Sequence, residues 1–254
     1  KQRLPPWDQL NEATLFGEPD GPDGLDTGVA SVGVNTSLHA KIAFPWAWDV
    51  PKDIFNNYIL PYASVNENRN NWRPFLSAVI KPLLDTLPRD ATVTDVFNVI
   101  NGGTDAPSLW SLLGNSANGG SIVFKSSQTP LIFDPMSTIA YGFASCTGIS
   151  ILAVDALRAA GVAARLAGTP AWQGKDSNGN HNWLEVYLPG VTAGEGEGEG
   201  EGEGEGSWHF VEGLPAGGGE TLANPCDKWF CNPGAFASPN GVQFCRETSL
   251  YILR

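Results

Sequence analysis

The sequence predicts an α+β fold: one buried helix packed on an antiparallel sheet, preceded by a largely helical extension. Three observations carry this. Residues 146–160 place apolar side chains at helical spacing immediately after a polar turn. The segments 162–167, 181–188 and 208–212 are short, rich in strand-forming residues and bounded by turn residues. Upstream, residues 71–87 put Phe75, Val79, Leu83, Leu84 and Leu87 on one helical face.

Taken in order, residues 1–40 are rich in Gly, Pro, Asp and Asn and read as an irregular arm over a surface. From Phe44 to Asp49 the chain turns apolar and aromatic. Pro51 suits an early helical position, where a missing N–H costs little, and the helix runs through Ile54, Phe55, Tyr58 and Ile59. After the helix of 71–87, Thr94, Asp95, Val96 and Phe97 open a shorter one that Gly102 and Gly103 end. Residues 121–133 read as extended. The helix after Cys146 carries Ile149, Leu152, Ala153, Ala156, Leu157 and Ala160 as a buried stripe, and Gly161 is its natural stop. A strand over 162–167, a polar loop over 173–180 and a strand over 181–188 follow. Gly194 to Gly206 alternates Gly and Glu without an apolar residue and reads as a flexible loop at a hairpin tip. A long insert there is tolerated, because closure entropy grows slowly with length. The division is therefore 1–120, an arm and helical extension packed on the core, and 121–254, the core with its loop at 194–206.

The formal net charge is −12, and the six glutamates of the Gly-Glu alternation account for half of it. No Lys/Arg cluster exists, so the chain is not expected to bind nucleic acid. No apolar run reaches the ~18–20 residues of a membrane span. Of the four cysteines, Cys226 and Cys231 stand close in sequence, but no histidine neighbours them, and no zinc site or other metal is expected. One disulfide among Cys226, Cys231 and Cys245 would fit, in a pairing the sequence leaves open. With the single sequon at Asn35-Thr36-Ser37 and a Trp-rich, Lys-poor composition, this points to a secreted or extracellular protein. The opening Lys1 reads as a processed product. No cofactor is called for.

The chemistry-bearing residues are Cys146, His181 and Glu212, in that chain order on helix, strand and strand. A thiol at a helix N-terminus faces unpaired N–H groups and the positive end of the dipole, and both favour thiolate. The same N–H groups can hold an oxyanion. An imidazole beside it would relay a proton, and a carboxylate would fix the ring. A cysteine beside small residues is commonly an inert core thiol; here Ser145, Thr147 and Gly148 make a polar turn instead. His209 is the rival histidine. On an extended strand Trp208, Phe210 and Glu212 share one face and His209 the other, which selects His181 with Glu212.

These residues lie in a longer pattern. Cys146 opens a helix; Gly161-Val162-Ala163-Ala164-Arg165 follows; then comes His181-Asn182-Trp183-Leu184-Glu185-Val186-Tyr187; then Trp208 with Glu212 four positions on. Over residues 141–213 this resembles the transglutaminase-like superfamily, relatives of papain-type cysteine enzymes. The resemblance implies a nucleophile helix on an antiparallel sheet and cysteine-dependent amide or peptide acyl chemistry through a thioester. That means a protease or amidase, with a transglutaminase as the transfer variant and a protein or peptide as substrate. The departures are Ala163 for a proline, Glu212 for an aspartate one methylene shorter, and Asn182 for an alanine beside the histidine. By the same analogy Gln128 is a candidate oxyanion donor. Trp172, Trp183 and Trp208 are candidates to wall a substrate groove, a position in which aromatic residues more often serve the core. Arg165 reads as a structural partner of Asp155 or Glu185. A reading of another class also stands, an inactive transglutaminase-like domain serving as a binding or structural module in an extracellular assembly. A carbohydrate binder, resting only on nine tryptophans, is a third.

Overall fold

The computed structural model describes residues 28–65, 67–102, 107–116, 119–126, 133–169, 176–190, 206–217 and 222. Helices α1 (Val29–Ala43), α2 (Pro45–Trp48), α3 (Lys52–Tyr58), α4 (Trp72–Leu84), α5 (Val93–Asn101) and α6 (Leu109–Leu112) come first. A short strand β1 (Val123–Phe124), helix α7 (Pro135–Tyr141) and strand β2 (Phe143–Ala144) lead into α8 (Cys146–Ala159). Strands β3 (Ala164–Thr169), β4 (His181–Leu188) and β5 (Ser207–Val211) follow, with a 3₁₀ turn at Asp176–Asn178 between β3 and β4. The fold is mixed α+β.

Local chemistry accounts for most of these boundaries. Thr92 and Asp95 form a reciprocal capping box at the start of α5, and Gly102, at φ 71°, closes it. Asp134 accepts from the Ser137 N–H at 2.9 Å and Pro135 takes the first position of α7. Gly142, at φ 73°, ends that helix in the left-handed region. Three of the short helices, α2, α6 and α7, fall in stretches to which the sequence reading assigns no element.

One expectation is corrected. Residues 29–40 are not an irregular arm but most of α1. Gly28 offers no side-chain cap and the first turn holds no acidic residue, so local signals are nearly absent. The helix is held from outside. Its buried residues are Val29, Gly33, Ser37 and Ala40, and Ala40 packs against the end of α8. Tertiary packing of one face outweighs weak propensity here. The rest of the expected arm, residues 1–27, lies outside the described residues. So do the Gly-Glu residues 194–205, the second half of the 121–133 stretch up to Phe133, and Cys226, Cys231 and Cys245.

The strands β3, β4 and β5 form an antiparallel sheet in that order, with Arg165 opposite Glu185 and Glu185 opposite Phe210. Ala164, Leu184, Val186, Leu188 and Val211 enter the main apolar cluster together with Ile149, Leu152, Ala153 and Ala156 of α8. The same cluster takes in Trp72, Leu76, Ile80, Phe97 and Trp110, so one core joins residues on both sides of position 120. A second cluster sets Ala163 and Tyr187 against Val50, Phe55 and Ile59 on the other side of the sheet. Between α8 and the 58–65 segment, Arg158 donates to the carbonyls of Tyr58, Ala63 and Ala164, and Arg73 to those of Ile59 and Pro61. Among the described residues, no helix is long and apolar enough to cross a membrane.

Gly161 stops α8 as the sequence predicts, at φ 76°. A Cβ there would also stand 3.1 Å from the Ala47 Cβ and 3.4 Å from the Ala40 Cβ. Gly161→Ala is therefore expected to cost about 1–2 kcal/mol from left-handed strain alone. A fall in the urea midpoint at unchanged m-value checks it.

Candidate active site

Every residue of helix α8 from Gly148 to Ala159 is buried. Only its first turn, at Cys146 and Thr147, reaches a surface. Ser145 is the N-cap residue, makes no side-chain cap bond, and no acidic residue stands in the first turn. The N–H groups of that turn have no intrahelical partners, and no local carboxylate neutralises the positive end of the dipole.

Strand β4 brings two partners to the sulfur. The His181 ring and the backbone N–H of Asn182 both hydrogen-bond to the Cys146 thiol. Burial pushes the thiol up, but the His181 hydrogen bond, the Asn182 backbone and the His181 charge together outweigh it, and the thiol ends below its ordinary value. On the ring, burial works downward, yet the hydrogen bonds to Cys146 and Glu212 and the Glu212 charge push His181 up to about 9. The two shifts agree: the proton belongs on the imidazole and the charge on the sulfur.

Glu212 meets the ring at 3.0 Å between Nε2 and Oε1. The concern that glutamate is a methylene too long has a geometric answer. β5 pairs Val211 with Leu184, so one step further Glu212 falls beside Trp183, and His181 lies two residues on along β4. Such diagonal neighbours are ~7–8 Å apart, a span that suits the longer side chain. The Glu212 segment is held by Asn101. That side chain donates to the Glu212 carbonyl at 3.4 Å and accepts from the Leu214 N–H at 2.9 Å and the Trp110 indole at 3.1 Å.

A cleft of about 360 Å³ opens over the sulfur. Phe124, Ser126 and Phe133 form one side; Asn178, Asn180 and His181 form another; Ser145, Cys146 and Thr147 form the floor. The parallel pairing of β1 with β2 sets Phe124 beside Ala144 and so next to the nucleophile turn. The Ser145 hydroxyl is buried and has no hydrogen-bond partner among the described residues.

Of the tryptophans considered for the groove, Trp183 is 1% exposed and packs on Phe210, with its ring 6.3 Å from that of His181. Trp208 packs edge-on against Tyr58 and Tyr187 and lies under Arg165. Neither lines the cleft. Trp172 and Gln128 lie outside the described residues. His209 bonds to the Ser207 hydroxyl at 2.8 Å, away from the site. Arg165 pairs with Glu185 at 2.6 Å, while Asp155 stands with Arg158 and Arg73 on α8 and α4. The sequence reading uses Ser145 and Thr147 only as a polar turn and gives no role to Phe124, Phe133, Asn178 or Asn180. Direct adjacency to Cys146 and His181 was the available signal for Ser145, Thr147 and Asn180; the others are brought in only by folding.

Residues 117–208 match the family model described as the transglutaminase-like superfamily. The match places a likeness to that superfamily over this segment, a little over a third of the chain. Cys146 and His181 fall inside it and Glu212 four residues past its end. No curated protein and no solved structure matches the chain. The superfamily generally includes cysteine-dependent acyl chemistry. Among the described residues, no group of three His, Cys, Asp or Glu could hold a metal ion.

Proposed function

We propose that this chain hydrolyses an amide or peptide bond of a protein or peptide substrate through a thioester on Cys146. The observation that carries the reading is the His181 ring, bonded at once to the Cys146 thiol and to Glu212. The Cys146 thiolate attacks the carbonyl carbon, and the first-turn N–H groups of α8 receive the oxyanion. The buried, unpartnered Ser145 hydroxyl is a second donor at that position. His181 gives its proton to the leaving amine, the C–N bond breaks, and the thioester remains. Neutral His181 then takes a proton from water, whose oxygen displaces the thiolate, and the carboxylic acid leaves. Glu212 keeps the ring oriented and favours its charged form. Cys146 is partly exposed at the cleft floor, so the thioester stands within reach of water, which favours hydrolysis over transfer to an amine. In this reading the helix, sheet and triad assemble as in papain-like relatives, on the extension formed by residues before 121.

An electrophilic peptide probe followed by mass spectrometry of the adduct tests the proposal. One adduct on Cys146, absent from Cys146→Ser, is expected. A folded protein that yields no adduct, or is modified only at Cys226, Cys231 or Cys245, contradicts it and favours a binding module.

A further inference from the structure

Every polar group of Asn182, the residue beside His181, is used. Its Oδ1 accepts from the Thr147 hydroxyl at 2.7 Å, and its Nδ2 donates to the Ala167 carbonyl at 3.3 Å. Its carbonyl accepts from the Ser150 hydroxyl at 3.3 Å, and its N–H donates to the Cys146 sulfur. Three of these four bonds run to the first five residues of α8; the side chain makes the one to Thr147 and the backbone makes the other two. The Ala167 carbonyl requires the NH₂ end of the amide, so Oδ1 faces Thr147. Thr147 also lies within hydrogen-bond reach of the sulfur. Its hydroxyl donates to Asn182 Oδ1, which holds Thr147 in place beside the sulfur.

Gly168, opposite Asn182 in the β3–β4 register, completes the arrangement. A Cβ at that position would collide with Asn182 Nδ2 and stand 3.1 Å from the His181 carbonyl. Gly168 does not sit at positive φ, so backbone conformation does not explain the glycine; room for the amide does.

We propose that Asn182 is a positioning residue that clamps β4 to the first turn of α8 and so sets the Cys146–His181 geometry, with Gly168 as the space it needs. The proposal rests on Cys146 being the nucleophile. It assigns Asn182 no contact with the reacting carbonyl. Losing the clamp leaves both reactive side chains in place but frees the strand that carries the ring to drift from the helix that carries the sulfur.

The test is thiolate titration by absorbance near 240 nm, taken as the difference from Cys146→Ala, together with iodoacetamide labelling of Cys146 at pH 7. In Asn182→Ala the thiolate midpoint is expected to rise by about one unit and labelling to slow roughly tenfold. Gly168→Ala should do the same by evicting the amide. The double variant Gly168→Ala/Asn182→Ala should be no worse than Asn182→Ala, because residues acting through one contact are not additive. Should Asn182→Ala fail to fold, Asn182→Ser, whose side chain is too short to reach both Thr147 and the Ala167 carbonyl, should raise the midpoint in the same direction. A wild-type midpoint in Asn182→Ala overturns the proposal, and additive losses in the double variant overturn the part given to Gly168. If the wild-type sulfur itself titrates as an ordinary thiol, the nucleophile reading fails and takes this one with it. A depressed wild-type midpoint unmoved by the variants defeats the clamp alone.

Discussion

Replacing His181 by alanine is expected to slow iodoacetamide labelling of Cys146 at pH 7 by about 10–100-fold. Burial alone raises the thiol, and the largest opposing influence is the hydrogen bond from His181. With the ring gone, burial is opposed only by the Asn182 N–H and the Thr147 hydroxyl, and the thiol rises toward its ordinary value. At neutral pH only a minor fraction is then thiolate, and the thiolate is the species that reacts.

The pH profile follows with its sign. His181 is raised from 6.5 to about 9, so its stabilising contribution is complete below 6.5 and lost as pH climbs through about 9. Cys146 is lowered, so its contribution is present above 9.0 and lost as pH falls through the depressed value. The two titrations belong to one pair, and the ion pair fills the window between its lower and upper macroscopic steps. Labelling needs only thiolate and should rise through the acid step and persist above pH 9. Amide turnover needs the imidazolium proton for the leaving amine and should fall above about pH 9. Two profiles that share an acid limb and part company on the basic side are the expected result. A labelling rate for wild type that tracks an ordinary thiol and ignores His181→Ala would end the ion-pair account.

What made the site legible from sequence was its locality. A cysteine followed by a 3.6-residue apolar stripe leaves little choice about where the helix begins, and α8 starts at Cys146. β4 alternates strongly enough that its limits, His181–Leu188, coincide with the predicted strand. Strand alternation also separated His181 from His209 before any contact was known. The parts that stayed hidden depend on long-range packing. α1 has almost no start signal and is held by Ala40 and its neighbours against α8. α7 has a full set of signals in Asp134, Pro135 and Gly142, yet its seven residues are too few for an apolar periodicity to stand out. The Asn182 clamp links residues 147, 167 and 182, which no window of sequence holds together. From sequence, Arg165 reads as a structural ion-pair partner of Asp155 or Glu185. The choice between Asp155 and Glu185 required the sheet register.

That register supports the second large effect. Arg165 and Glu185 are direct cross-strand partners, with Nε and Nη2 both on Oε2 at 2.7 and 2.6 Å. Their side chains are 6% and 1% exposed, and the guanidinium lies 4.1 Å over the Trp208 ring. Removing one member leaves the other charged, buried and uncompensated. Glu185→Leu or Arg165→Met is therefore expected to cost about 3–5 kcal/mol, against the ~0–1 kcal/mol of an exposed pair. Replacing both together should recover most of the loss, because the desolvation of two charges is removed along with their attraction. Urea denaturation of the two single variants and the double closes the cycle. Glu185 is four residues from His181 on the same strand, about 13 Å at strand rise. The double variant should accordingly keep wild-type labelling of Cys146. If both single variants cost less than about 1 kcal/mol, water reaches the pair in solution, and β3 and β4 are held by the apolar residues on the α8 side of the sheet.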